Sequence, residues 1–409
     1  LEPFEDKEGN MAKKYDLIIV GGGIMASSLA YNLRKDGYTG SIVIFEKDRI
    51  YEYSSTPRSY GGVRHTFSIE GNIRLSQLSI QIYENFEKEM AIDGDPAVID
   101  FKQHGYLYLA NNQILAMLKE NMKLQKGFGV NIQLLTPEEI KSFVPELIVD
   151  DLAGAVFDVA AGNIDPYSVL QWYAKHAKRL GVEYIYEKVH TILTDGNDHI
   201  SGVKLESGEE YHAPIVVNAA GAWSGEISKT AGIEIPVRPL RKQVYCVDLA
   251  VPFQSNIPFI FDTVNGTYFM SEGLKVITGS REGAHMVEKK EDFKYQYDFH
   301  LDKSYFTDEV WPLLAERSPN FERLKLETGW AGLYEYNYID HNAIIGEHPQ
   351  MKGFYLLTGF SGHGFQQAPA AGKCLSELIR LGKYETIDLT PFSMERFYKN
   401  QLLLEKEVY

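Results

Sequence analysis

Apolar and polar positions alternate between two periods along the chain. Leu17–Val20 is a short, wholly apolar run, the pattern of a strand buried on both faces. From Ile24 to Lys35 the apolar residues return at helical spacing, with Leu29, Ala30 and Leu33 on one face, and Ile42–Phe45 is a second apolar run. Gly21, Gly22 and Gly23 separate the first run from the helix, and Glu46 ends the second run. The pattern predicts strand, tight turn, helix, strand, with an acid at the tip of the second strand. Gly21 permits the turn, and Gly23 lets the backbone approach a pyrophosphate held at the helix N-terminus beside Ile24 and Met25. Ala26 takes the third position of the fingerprint, and Glu46 suits the hydroxyls of an adenosine ribose.

Further along, Ile73–Met90 reads as an amphipathic helix and GYLYLA, ending at Ala110, as a strand. A helix follows to Leu124, and Thr136 with Glu139 forms a capping box. Helix Tyr167–Leu180 precedes strand patterns in GVEYIYEKV, ISGVKLESGEEYHA and IVVNAAGAWS. Gly221 in that last stretch is equally a second approach to a nucleotide or a plain turn. Residues 236–327 carry short runs rich in Tyr, Phe and Val that predict an antiparallel sheet, with a helix at Phe306–Arg317. The end, GFYLLTGFSGHGFQQAPAAGK, repeats the strand, glycine turn, helix logic.

The expected fold is therefore α/β: a Rossmann-like dinucleotide-binding domain with an inserted substrate domain on a mainly antiparallel sheet. Residues 14–90, 152–235 and 328–409 are assigned to the first, and 91–151 and 236–327 to the second.

Composition narrows the function. A net charge of −15 disfavours nucleic acid as a partner. The two cysteines, Cys246 and Cys374, make neither a disulfide framework nor a spaced metal-ligand set. No apolar run is long enough to span a bilayer, and the first ten residues fit neither a signal nor a transit peptide. The expected location is cytoplasmic. Peripheral attachment to a membrane, or the mitochondrial matrix after removal of a transit peptide, are the alternatives.

The stretches DLIIVGGGIMASS, VVNAAGAWS, WAGLYEYNYIDHNAIIGEHP and TGFSGHGFQQAPAAGK together resemble the D-amino acid oxidase-like flavin oxidoreductases, in the branch of sarcosine oxidase, glycine oxidase and dye-linked L-proline dehydrogenase. The resemblance implies FAD. Gly21, Gly23, Glu46 and Lys47 would hold its ADP half, and Ser54, Ser55, Arg58 and Gly62 would lie by the pyrophosphate and flavin edge. Val189, Ala220, Gly221 and Trp223 would line the nucleotide. Gly332, Gly359, Ser361, Gly362, His363 and Gly364 would surround the flavin ring. Arg64 matches the family's substrate-carboxylate arginine. Tyr268, Gln366 and His363 fall at pocket positions, and Tyr334 and Glu335 are further pocket candidates.

Two departures from the family pattern matter. No cysteine stands where sarcosine oxidases attach flavin, and His65 lies beyond the histidine used by other relatives, so FAD is expected to be non-covalent. Ile277 falls where sarcosine oxidase has its oxygen-activating lysine, and Lys275 matches only with a gap. The expected activity is oxidation of the C–N bond of a small secondary or N-methyl amino acid, such as proline or sarcosine, by hydride transfer to flavin N5. A dehydrogenase using a quinone or carrier protein is favoured over an oxidase using oxygen. The alternatives are an oxidase of primary or D-amino acids and a flavoprotein that assists assembly of respiratory complexes.

Overall fold

In the computed structural model, residues 13–283, 285–286 and 297–406 are described. Three sheets organise them. The first has six strands in the order Ile344–Glu347, Phe354–Thr358, Val216–Asn218, Leu17–Val20, Ile42–Phe45, Glu183–Ile185, parallel except for the first pair. Leu17–Val20 lies near its centre and is buried throughout, which is why its sequence is apolar without alternation. Helices Ile24–Lys35, Glu70–Glu89, Pro166–Arg179 and Gly364–Leu381 cover one face through residues such as Leu29, Leu33, Leu75, Phe86, Leu170 and Leu375. A four-stranded sheet packs on the other through Val189, Val203 and Tyr211.

Helices Ile24–Lys35 and Gly364–Leu381 touch closely. A Cβ on Gly372 would run into Ser28 and stand 2.8 Å from the Leu29 nitrogen, and the Ser28 hydroxyl donates to the Ala368 carbonyl at 2.9 Å. The small residues bring the two helix starts to one side of the parallel sheet.

The nine-stranded sheet is mixed. Its long strands Val237–Leu249 and Leu324–Asn337 pair antiparallel, with Leu240 opposite Tyr334 and Lys242 opposite Gly332. Phe259–Asp262 pairs parallel with Tyr106–Ala110, the one departure from the antiparallel expectation in this sheet. Alternation divides its faces: Leu107, Leu109, Tyr245 and Phe269 pack outward, while Tyr106, Tyr108, Val244 and Tyr268 face the parallel sheet.

The sheet pairing cuts across the expected boundaries. Gly154–Asp158, assigned above to the dinucleotide-binding part, pairs with Tyr106–Ala110 and Ile132–Leu135 in the nine-stranded sheet. Most of the strand Leu324–Asn337 was likewise assigned to the other part. Thr136 does cap its helix, with Glu139 returning the bond. The helix expected at Phe306–Arg317 is a π-helical turn, Phe306–Val310, followed by an α-helix from Trp311.

Candidate active site

A cavity of about 1520 Å³ runs between the two large sheets, well above the roughly 300–1,000 Å³ of ordinary ligand pockets. Two helices start on its wall, and neither has a side-chain cap. The first begins after Gly23 and presents Ile24 and Met25. The second begins after His363 and presents Gly364, Phe365 and Gln366. The N–H groups of a first helical turn lack intrahelical acceptors, so both ends favour an anion or an electron-rich carbonyl.

The three glycines of the first turn do different work. Gly21 has φ +94°, and a Cβ there would collide with the Ala219 carbonyl. A Cβ on Gly22 would press on Glu46 at 2.8 Å. At Gly23 the backbone is extended, and the nearest atom to an added Cβ is the Ser54 hydroxyl at 4.0 Å. The missing side chain at Gly23 therefore leaves cavity space beside the helix start, a cradle of the kind a pyrophosphate fills.

Glu46 is buried and fixed at both oxygens: Gly22 N–H donates to Oε2 at 2.7 Å and Asp48 N–H to Oε1 at 2.8 Å. Burial raises its pKa despite these bonds. A carboxylate with about four acceptor sites keeps capacity for ribose hydroxyls. The Lys47 ammonium sits 3.1 Å from the Trp223 ring centroid, and burial lowers its pKa. Val189, Ala220 and Gly221 complete this half, and Gly221 has φ +57° with open space where a Cβ would stand.

The loop after Glu46 is tied to the nine-stranded sheet. Ser55 Oγ donates to the Leu333 carbonyl at 2.5 Å, and Arg58 donates to the Ala331 carbonyl at 2.7 Å. Gly332 fits beside Arg58, where a Cβ would approach the arginine at 3.2 Å. A Cβ on Gly62 would overlap the Tyr106 hydroxyl, so a side chain there would displace that ring.

Beyond this loop, Arg64, Gln366 and His363 meet at the second helix start. Gln366 Oε1 accepts from Arg64 N–H at 2.9 Å, which fixes the amide orientation. Among the described residues the Gln366 amide nitrogen has no hydrogen-bond partner, so it is a free donor on the cavity wall. The Arg64 guanidinium donates to the Thr66 carbonyl at 2.6 Å, lies 3.4 Å from His363 Nε2, and stacks over Phe67. Burial and the Arg64 charge push the His363 pKa well below its ordinary value, so its ring is neutral and accepts from Arg64.

Glu335 lines the cavity close by. Its carboxyl accepts from Thr358 at 2.9 Å and Gly359 N–H at 3.2 Å, and burial pushes its pKa up to about 7. Ser361 N–H donates to the Glu335 carbonyl at 3.1 Å, so this residue shapes the whole glycine turn.

Of the residues expected at the site, Ala26 and Gly359 do not reach the cavity wall. Ala26 packs inside the helix layer, and Gly359 precedes the turn with its N–H spent on Glu335. All the others line it. His65 turns away from the cavity and pairs with buried Asp158 at 3.1 Å. Lys275 pairs with Glu327 off the cavity and Ile277 is core, while two cations not singled out in the sequence, Lys242 and Arg281, stand on the wall. An aromatic group, Tyr60, Tyr106, Tyr108, Phe259 and Phe261, was not anticipated from the sequence; nor was His341.

Fold and cavity together define a dinucleotide-binding α/β protein whose ligand site is roofed by a second sheet. The chain belongs to the FAD-dependent oxidoreductase (DAO) family, whose model, "FAD dependent oxidoreductase", matches residues 16–378. It is 33% identical to the Bos taurus FAD-dependent oxidoreductase domain-containing protein 1, over 97% of this chain and 87% of that one. It is 25% identical to the Homo sapiens mitochondrial sarcosine dehydrogenase over 94% of this chain but only 41% of that protein. Among solved structures, L-proline dehydrogenase from P. horikoshii superposes with a TM-score of 0.83 and 28% identity, covering 96% of this chain and 100% of that one. Among the described residues no helix is long and apolar enough to cross a membrane.

Proposed function

We propose that this chain oxidises the CH–NH bond of an amino acid, with Arg64 and the Gln366 amide holding the substrate carboxylate. The observation that carries the reading is the pinned Gln366. One oxygen fixes the Arg64 backbone, and an unpartnered amide nitrogen remains on the wall beside a guanidinium. A planar fork and a neighbouring N–H₂ suit one carboxylate.

FAD fits the cavity through Gly23, Glu46, the loop residues Ser54, Ser55 and Arg58, and the second helix start. When bound, it would accept the hydride that leaves the substrate carbon as nitrogen's lone pair forms the C=N bond, and an external acceptor would later remove both electrons. His363 keeps Arg64 in place without adding charge. The phenols of Tyr60, Tyr106, Tyr268 and Tyr334 have pKa values raised by burial and stay neutral, so no anion there competes with the carboxylate. The start of helix Gly364–Leu381 would favour negative charge on a bound flavin.

A dehydrogenase using a carrier or quinone remains the proposed type. Its support is the likeness to proteins named sarcosine dehydrogenase and L-proline dehydrogenase. Attachment of FAD is proposed to be non-covalent, because neither cysteine lines the cavity.

The test is the reductive half-reaction of Arg64→Ala and Arg64→Lys. Both variants should bind FAD normally. Loss of the charge-assisted contacts should lower the rate of flavin reduction over substrate Kd about 10- to 150-fold, corresponding to about 1.5–3 kcal/mol. Unchanged reduction in Arg64→Ala would sink the assignment.

A further inference from the structure

The carboxylate anchor at Arg64 leaves much of the chamber wall unexplained. Part of it is floored by rings from Tyr60 and from neighbouring strands. Phe259 stacks on Tyr60 with centroids 5.2 Å apart and on Tyr268 at 5.6 Å. Tyr106 meets Phe259 edge-on at 4.3 Å, and Phe261 stacks on Tyr268 at 6.0 Å. The floor is apolar in its faces but not in its edges. Among the described residues the hydroxyls of Tyr60, Tyr106, Tyr268 and Tyr334 have no hydrogen-bond partner. The rings of Tyr106 and Tyr268 are packed away, at 3% and 7% exposure, while their hydroxyls open onto the cavity as donors with no protein acceptor among the described residues.

A cation, Lys242, also stands on the chamber wall. The Lys242 ammonium has a single hydrogen bond among the described residues, to the Arg281 carbonyl at 2.7 Å. The neighbouring carboxylate, Glu282, is engaged with the Arg281 guanidinium at 3.1 Å. Burial pulls the Lys242 pKa down to about 8, which leaves it mostly charged at neutral pH and short of a counter-ion.

The strands bring Lys242 and Tyr268 together. The Tyr268 ring lies across Gly279, its cross-strand partner, and its hydroxyl fills the space of the missing Cβ. Lys242 is anchored at Arg281, two residues further along the same chain segment. At about 3.3 Å per extended residue those two anchor points are roughly 7 Å apart along the chain, and both Lys242 and Tyr268 line the cavity.

Resting on the carboxylate reading of Arg64, we propose that the substrate is a dicarboxylic amine: an acidic or N-carboxyalkyl amino acid whose second carboxylate binds between Lys242 and Tyr268. Its methylenes lie on the aromatic floor, which explains why the floor combines apolar faces with unsatisfied donors. Glycine and sarcosine would leave the Lys242 site empty.

The test compares isosteric pairs in the anaerobic holoenzyme: N-methylglutamate against N-methylnorvaline, and iminodiacetate against N-ethylglycine. The readouts are flavin reduction rate over Kd and, separately from turnover, the thermal shift produced by glutarate against pentanoate. The dicarboxylic member of each pair should be favoured at least about tenfold, the gain expected of one charge-assisted contact. Lys242→Met should bring the ratio close to one, and Tyr268→Phe, which keeps the ring, should reduce it. Equal or better reduction by the monocarboxylic members overturns this proposal and leaves the Arg64 reading intact. A dicarboxylate preference that survives in Lys242→Met overturns the assigned site. No reduction by any compound overturns both.

Discussion

Gly21 and Gly23 stand two residues apart, yet substituting them should have separable effects. At Gly23 the backbone is extended and an added methyl meets nothing closer than 4.0 Å, so Gly23→Ala should fold like the wild type. The methyl would occupy the space beside the first helix start, where a pyrophosphate oxygen must come within about 3 Å of an N–H to bond it. Losing one charge-assisted bond there is worth about 1.5–3 kcal/mol, a rise in FAD Kd of about 10- to 150-fold. Gly21→Ala is the converse. It forces a non-glycine residue to φ +94° and drives its methyl into the Ala219 carbonyl, at about 2–5 kcal/mol of folding stability. The assay is thermal melting of both apoproteins, followed by FAD titration read by quenching of flavin fluorescence. Wild-type FAD affinity in Gly23→Ala, or a loss that only tracks its melting temperature, would refute the pyrophosphate cradle.

Other consequences are independent of that cradle. Because the folded-state pKa of Glu335 is raised from 4.5 to about 7, its carboxyl favours folding below pH 4.5 relative to higher pH, and that contribution disappears as pH rises through 7. Glu335→Gln in the apoprotein should therefore gain stability relative to wild type between pH 5 and pH 8, by at most about 3 kcal/mol; parallel melting profiles would count against it. Arg396 pairs with Asp340 at 2.7 Å with both side chains buried, so Arg396→Ala should cost about 3–5 kcal/mol in denaturant unfolding by stranding the acid. Acid precipitation of the holoprotein should leave the yellow colour in the supernatant, and flavin retained in the pellet would mean a covalent link.

What the sequence made legible was local. The strand, glycine turn, helix and acid from Leu17 to Glu46 lie in one stretch, and their roles follow from spacing alone. Arg64 and Gln366 each match the family pattern, but their bond joins residues 302 positions apart and exists only in the fold. The aromatic floor was invisible for a similar reason. Phe259 meets Tyr106 only through the parallel pairing of distant strands, and with 26 tyrosines in the chain none announces itself. Lys242 sits between Arg241 and Gln243 in a strand whose facing depends on register, so nothing in RKQ marks the lysine as the residue on the cavity wall. Ala26 and Gly359 hold motif positions without lining the cavity. One supports helix packing and the other a turn.

The most direct test of the central claim is anaerobic. Purified yellow holoprotein would be mixed with a panel of mono- and dicarboxylic amino acids, including L-proline, sarcosine, N-methylglutamate and D-amino acids, while the flavin band is followed. The account predicts that at least one compound bleaches the band, that the response is lost in Arg64→Ala, and that added quinone or carrier restores the colour faster than air does. Firmly bound FAD that no compound bleaches would contradict it and leave a flavoprotein whose role is binding, not amine oxidation.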